Sequence, residues 1–327
     1  MGFTMQVIHD ALHAADLPRG VIVTIGNYDG VHRGQRSVLD LVKARAHTTG
    51  LHSVVVTFDP HPLTVLHPEV SVRLLTTQAQ KETLLDQAAV DYVLVVRFTP
   101  EFAKMPARTF VRDFLWGALE AREIYVGSRF AFGHRREGDL SLLRQMGETY
   151  GFSAFAVDEV SHLGEPISST RIRHALADGD VALARELLGR PYAITGIITR
   201  GDRMGKRLGW PTINLAPEND LVPFDGVYAS RVFFPSFPAT FDAVTNIGTR
   251  PTVYENYQRV VESHILDFNA DVYGETVELR FYKRLRDERT FPSMMDLSAQ
   301  IGRDVESARE ALATLQESET PTVAGEA

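Results

Sequence analysis

From Val21 to about Tyr192 short β-branched runs alternate with helical patterns, and past Leu188 strand-like segments follow one another with little helix between them. The first pattern builds βαβ units around a mostly parallel sheet, and the second a small antiparallel barrel. In the first part the runs are Val21–Ile25, Val54–Phe58, Tyr92–Val96, Ile124–Gly127 and Phe152–Val157, with Val38, Leu41 and Val42 at helical spacing after the first. In the second they are Tyr192–Thr199, Val227–Phe234, Phe241–Ile247, Val260–Phe268 and Thr276–Lys283, separated by Gly, Pro and Asn turns. Met294–Leu315 then places Leu297, Ile301, Val305, Ala308 and Leu312 on one helical stripe. The expected organisation is an α/β module over 1–188, a barrel with a carboxy-terminal helix over 189–316, and a disordered tail over 317–327. Two modules also suit 327 residues.

Charge and composition narrow the partners. A net charge of −8 argues against a mainly electrostatic nucleic-acid or membrane partner, while a local basic site for a small anion stays compatible with it. The absence of cysteine excludes disulfides and thiolate chemistry and fits a reducing compartment. Residues Met1–Gln6 lack a basic region followed by a long apolar stretch, and no apolar run approaches the ~18 residues of a membrane span. The expectation is a soluble cytoplasmic protein, at most a weak homo-oligomer.

Two segments of unrelated design read as phosphate sites. In the first, the strand ending at Ile25 runs into Gly26-Asn27-Tyr28-Asp29-Gly30-Val31-His32-Arg33-Gly34, and a helix follows. Free N–H groups at such a helix start bind phosphate, and an imidazole at His32 can donate to phosphate oxygens as negative charge builds. Farther on, Ser168-Ser169-Thr170-Arg171-Ile172-Arg173 sets hydroxyls and guanidinium groups at another helix start, suited to the outer oxygens of a triphosphate. Taken alone, that run is an ordinary N-cap.

The second segment, Gly201 to Asn214, is rich in glycine and base but lacks P-loop spacing. Gly201, Gly205 and Gly209 permit close backbone approach, and Lys206 or Arg207 can neutralise phosphate. If the segment is extended, Thr212 and Asn214 point to one side as two hard oxygen ligands for Mg²⁺. Glu262, on one face of a strand with His264 and Leu266, is a carboxylate on a mostly apolar run. It reads either as a general base for a hydroxyl attacking a phosphorus or as an ion pair with Arg250 or Arg280.

The Gly26–Gly34 segment, Thr57-Phe58-Asp59-Pro60-His61-Pro62, Val126-Gly127 with Phe130, Phe132, Gly133 and Gly138, and the Ser168–Arg173 segment together resemble one half of the bifunctional bacterial riboflavin kinase/FAD synthetases. That half is the FMN adenylyltransferase, of the nucleotidylyltransferase superfamily with its paired His-x-Gly-His and Ser-Ser-Thr-x-x-Arg motifs. The resemblance implies a Rossmann-like domain in which Gly26, Asn27, Asp29, Gly30, Gln35, Ser169 and Thr170 bind ATP while His32 and Arg173 act on its phosphates. Gln35 stands where the family's motif has its second histidine; it can donate a hydrogen bond but carries no charge. Arg129 fills a slot that usually holds Asp or Asn.

The second half is similar to riboflavin kinase through Gly189-Arg190-Pro191-Tyr192, the loop from Gly201 to Asn214, Gly226-Val227-Tyr228-Ala229, Asn246 to Thr252, Val261-Glu262-Ser263-His264, Asp271 to Gly274 and Leu285 to Glu288. The resemblance implies Thr212 and Asn214 as Mg²⁺ ligands, Glu262 as base, Gly201, Gly205, Lys206 and Gly209 in a nucleotide flap, and Arg286 on a second flap near riboflavin. The expected chemistry is phosphorylation of riboflavin to FMN by ATP, then adenylylation of FMN to FAD with release of pyrophosphate. Three alternatives stay open: a kinase whose first module is slow or regulatory because of Gln35 and Arg129, a non-catalytic flavin-binding protein, and a tRNA-charging enzyme. The last is opposed by the acidic balance.

Overall fold

The computed structural model describes residues 4–200, 204–251 and 257–315. The expected tail over 317–327, residue Gly201 and the Lys206 and Arg250 side chains lie outside the described residues. The chain forms two compact units, Met1–Arg73 with Lys81–Ile167, and Leu74–Gln80 with Ser168–Ala327.

The first unit is built on a six-stranded sheet of β1 (Gln6–His9), β2 (Val21–Ile25), β3 (His52–Asp59), β4 (Tyr92–Arg97), β5 (Glu123–Gly127) and β6 (Ser153–Val157), in the order β1-β4-β3-β2-β5-β6. Every pairing in it is parallel. A continuous β-branched run such as Val21–Ile25, buried at every position, is what a parallel strand covered on both faces requires. Alternation along β3 divides the core accordingly. Val54 and Val56 pack with Phe110, Phe114 and Leu143, whereas Val55 packs with Leu39 and Leu85 on the other face. The helices of the unit are α1 (Arg33–Thr49), which supplies Leu39, the short α2 (Pro62–Leu66), α3 (Gln78–Asp86), which supplies Leu85, α4 (Ala107–Thr109) with a π-helical continuation Phe110–Ala118, and α5 (Leu140–Tyr150), which supplies Leu143. Leu41, expected on the helical stripe of α1, is partly exposed; Val42 carries the burial. β7 (Ser161–His162) and β8 (Glu165–Pro166) form a small hairpin. The chain leaves β2 towards β3 and β4, then returns to lay β5 on the opposite side of β2. The carboxyl ends of β2 and β5 therefore flank a topological switch point, where ligands of open α/β sheets bind.

In the second unit α6 (Ser169–Ala177) and α7 (Val181–Leu188) are broken apart at Gly179, which takes φ 76°. A closed antiparallel barrel follows, from β9 (Tyr192–Thr199), β10 (Ile213–Pro217), β11 (Gly226–Phe233), β12 (Thr240–Pro251), β13 (Tyr257–Ile265) and β14 (Thr276–Arg286), in the order β10-β13-β12-β11-β14-β9. Closure leaves no open edge. Between β9 and β10 lies the one-turn α8 (Met204–Arg207). The final helix, α9 (Met294–Ala313), buries Val305, Ala308 and Leu312 against Val227, Ala229 and Val244 on the outside of the barrel. The alternate residues of β11 turn the other way. Ser230 belongs to a buried hydroxyl ladder in which its Oγ meets Thr245 Oγ1 at 2.6 Å and Thr245 meets Ser263 Oγ at 2.8 Å. Such a chain leaves no buried hydroxyl unsatisfied.

Candidate active sites

In the first unit β2 delivers the Gly26–Gly34 turn to the switch point. A cavity of ≈ 180 Å³ opens there, lined by Gly26, His32 and Gln35 from the expected set, with Gly127, Asp158 and Glu159 from the ends of β5 and β6. Asp158 and Glu159 are not singled out by the sequence motifs, although the rule that ligands gather at carboxyl strand ends points straight at them. His32 is the N-cap of α1 and is buried. Its Nδ1 accepts the Gln35 backbone N–H at 3.3 Å, and its own backbone N–H donates to Gln35 Oε1 at 3.1 Å. This is a reciprocal capping box. It also assigns the tautomer: with Nδ1 accepting, the neutral ring carries its proton on Nε2 and can donate from there. Gln35 is thus a helix cap whose carbonyl is spent on His32.

The turn itself is anchored on two sides. Asn27 accepts from Thr57 Oγ1 at 3.1 Å, and the buried Tyr28 hydroxyl meets Thr24 Oγ1 at 2.7 Å. Burial lifts the Tyr28 phenol far above its ordinary range, so it stays neutral. Gly30 sits at φ 88°, a conformation open to glycine. Asp29 is buried.

Arg129 pairs with a residue of the cavity wall. Its Nε meets Glu159 Oε1 at 2.5 Å, with most of the arginine side chain in water. Phe130 and Phe132 stack on each other at 5.3 Å and pack against the core of the unit, which accounts for their alternation without a ligand. Ser169, Thr170 and Arg173 belong to the second compact unit. There Ser168 Oγ caps α6 by accepting the Arg171 N–H at 3.2 Å, leaving Ser169 and Thr170 in the first turn.

In the barrel, β10 pairs with β13 so that Asn214 stands directly opposite Glu262, and β12 pairs with β13 so that Asn246 stands opposite it on the other side. Directly opposed residues share a face, with Cβ atoms ~5 Å apart. Glu262 is therefore flanked by two neutral amides. Of the ion-pair partners considered for it, Arg280 is engaged by Glu278 at 2.5 Å, both buried. Thr212 and Asn214 line a cavity of ≈ 440 Å³ together with Ser263, Asp271 and Tyr273. The extended segment on which their common orientation depended is present as β10 from Ile213 onward.

His264 holds the approach to that strand. Its Nδ1 donates to the Pro211 carbonyl at 2.8 Å and its ring meets Trp210 edge-on at 5.4 Å, while Trp210 Nε1 donates to Ser298 of α9 at 3.0 Å. The close approach that Gly205 permits is to this same segment. A Cβ there would lie 2.3 Å from the Trp210 carbonyl and 3.1 Å from Thr212 Oγ1. Gly205→Ala is accordingly expected to displace Thr212 from the cavity wall, which a crystal structure of the variant checks. Gly209 takes φ 85°. Arg286 forms a forked pair with Asp304 of α9, Nε to Oδ1 at 3.0 Å and Nη2 to Oδ2 at 2.8 Å, so its guanidinium ties the end of β14 to the helix.

Comparison with known proteins finds two families along the chain. Residues 14–171 match the FAD synthetase family and residues 188–312 the riboflavin kinase family. A bifunctional riboflavin kinase/FMN adenylyltransferase of Escherichia coli K12 is 39% identical over 307 residues, covering 94% of this chain and 97% of the relative. The chain belongs to the bifunctional riboflavin kinase/FMN adenylyltransferase family. A Haemophilus influenzae relative of the same description is 35% identical over 93% of this chain and 98% of its own. Its amino-terminal part is thus the FAD synthetase module and its carboxy-terminal part the riboflavin kinase module. A solved structure described as a macrolide-efflux protein from Streptococcus pneumoniae superposes with a TM-score of 0.85 at 28% identity, covering 93% of this chain and 98% of that one. Among the described residues no helix is long and apolar enough to cross a membrane.

Proposed function

We propose that this chain converts riboflavin to FAD in two ATP-dependent steps, each in its own module, with the modules divided at 188/189. The observation that carries the reading is the presence of two cavities, each lined wholly by residues of one compact unit. The start of the riboflavin kinase match at residue 188 supports the boundary.

In the kinase module Glu262 takes the proton from the riboflavin primary hydroxyl as that oxygen attacks the γ-phosphorus of ATP. Its place opposite Asn214, which lines the cavity, supports the role. Among the described residues no cluster of three or more His, Cys, Asp or Glu could hold a metal ion. The donor set on offer is one hydroxyl and one amide oxygen, from Thr212 and Asn214. Two neutral hard oxygens suit Mg²⁺, which takes few protein ligands and shares the rest with phosphates and water. When bound, it would neutralise phosphate charge. The segment with Gly201, Gly205, Lys206 and Gly209 covers the nucleotide, and Arg286, clamped by Asp304, holds the second flap on the riboflavin side.

In the adenylyltransferase module a phosphate oxygen of FMN attacks the α-phosphorus of a second ATP and pyrophosphate leaves. The Gly26–Gly34 turn receives the phosphates, and His32 Nε2–H donates to the oxygen where charge develops. The use of Gln35 as a cap for His32 supports an intact module over a vestigial one. The acidic balance and lack of cysteine support a cytoplasmic enzyme with small-molecule partners and no nucleic acid, self-associating weakly at most.

Incubation with riboflavin, ATP and Mg²⁺, followed by chromatography, is expected to show FMN rising first and FAD after it. Omitting Mg²⁺ is expected to stop FMN formation. FMN that never proceeds to FAD would overturn the adenylyltransferase half of the reading.

A further inference from the structure

Lys81 in α3 is buried, at 6% exposure, on the side of the Gly26–Gly34 turn where β3 ends. Its Nζ donates to the Phe58 carbonyl at 3.3 Å. An ammonium buried in this way is costly unless charges compensate it. Burial pulls Lys81 below the ordinary lysine range, and the carboxylates of Asp29, Asp59 and Glu82, Asp29 foremost, push it back up.

Asp29 faces the mirror problem. It is 3% exposed and stands within a turn that must receive a polyphosphate. Its charge is opposed by desolvation and by the ligand's own charge, so a fixed cation beside it is needed for the turn to accept an anion at all. The same turn is strained: Tyr28 and Val31 take φ of 50° and 38°, positions that side chains, above all a β-branched one, seldom adopt. Strained backbone persists where its surroundings over-determine it. Thr57 and Thr24 anchor the turn at Asn27 and Tyr28, and Lys81, bonded to the Phe58 carbonyl next to Thr57, adds a positive charge that Asp29 feels.

We infer that Lys81 is a positioning residue for the adenylyl transfer: its ammonium balances Asp29 and ties the Gly26–Gly34 turn to the end of β3, so that the turn's N–H groups and the His32 ring keep their aim at the phosphates. The inference rests on the adenylyltransferase reading above. It concerns no group of the kinase module, which serves as an internal control in the same polypeptide.

The test is a double-mutant cycle on the full chain with FMN and ATP supplied. Lys81→Met is expected to lower kcat for FAD formation about 100-fold, the scale of a small misplacement of a site, with KM for ATP little changed and riboflavin phosphorylation at the native rate. Lys81→Arg, which keeps the charge, is expected to retain most of the activity. In the Asp29→Asn background, where no buried carboxylate needs balancing, Lys81→Met is expected to cost little more. Native FAD formation by Lys81→Met, an equal cost in both backgrounds, or a Lys81→Arg variant as slow as Lys81→Met would each overturn the inference. A native chain that made no FAD from FMN would overturn the adenylyltransferase reading itself, and this inference with it.

Discussion

Glu262→Gln is expected to abolish FMN formation from riboflavin while supplied FMN is still converted to FAD at the native rate. The substitution keeps the shape and hydrogen-bonding reach of the side chain and removes its capacity to take a proton. A positioned general base contributes roughly 10²- to 10⁴-fold, so the loss falls on kcat and spares substrate binding. Asn214 and Asn246 flank the position as direct cross-strand neighbours, and a third amide there introduces no charge conflict in the barrel. Assays with riboflavin and with FMN as separate inputs read the two activities from one preparation. Equal loss of both would refute independent sites; undiminished phosphorylation would remove Glu262 as the base.

His32→Ala should give the opposite pattern, with FAD formation falling about 10²- to 10³-fold, the scale of removing one donor from a developing oxyanion, and riboflavin phosphorylation untouched. His32 caps α1 through Nδ1 and also lines the cavity, where Nε2–H is the proposed donor. Loss of the cap alone costs on the order of 1 kcal/mol of stability. His32→Asn separates the two, since asparagine caps helices as well as any residue and cannot reach where the imidazole Nε2 reaches. It should recover thermal stability and leave FAD formation crippled. A His32→Asn variant that makes FAD like the native chain would reduce the histidine to a cap.

Much of the architecture was legible because its signals are local. Runs such as Val21–Ile25 and Val54–Val56 declare buried parallel strands by their β-branched continuity, and the stripe from Leu297 to Leu312 declares α9 by its period. Four strands escaped. β1 is four residues long and only partly buried, too short to show a period, β7 and β8 have two residues each, and β10 is a five-residue piece that follows Pro211 and ends on Pro217. The last omission bore on function, because β10 brings Asn214 to Glu262.

Motif residues were visible for the same reason: glycines, His32 and the Ser168–Arg173 run carry their chemistry in residue type and spacing. Their burdens within the fold were not visible. Gln35 reads as a departure from a motif, and only the fold shows its Oε1 accepting the His32 N–H; Arg129 reads as an unusual occupant of its slot, and only the fold pairs it with Glu159. Lys81, in an ordinary-looking helix, gives no sign in sequence that it is buried near Asp29.

By itself the sequence determined that the chain would form one parallel α/β module and one antiparallel barrel, each with a phosphate-handling segment, since hydrophobic period and glycine spacing act over a few residues. Tertiary structure alone decided which distant residues come together: Asn214 opposite Glu262, Gly26 around one cavity with Gly127 and Glu159, Lys81 on the Phe58 carbonyl. Register and burial are properties of strands and helices packed from far apart in the chain, and no local pattern fixes them.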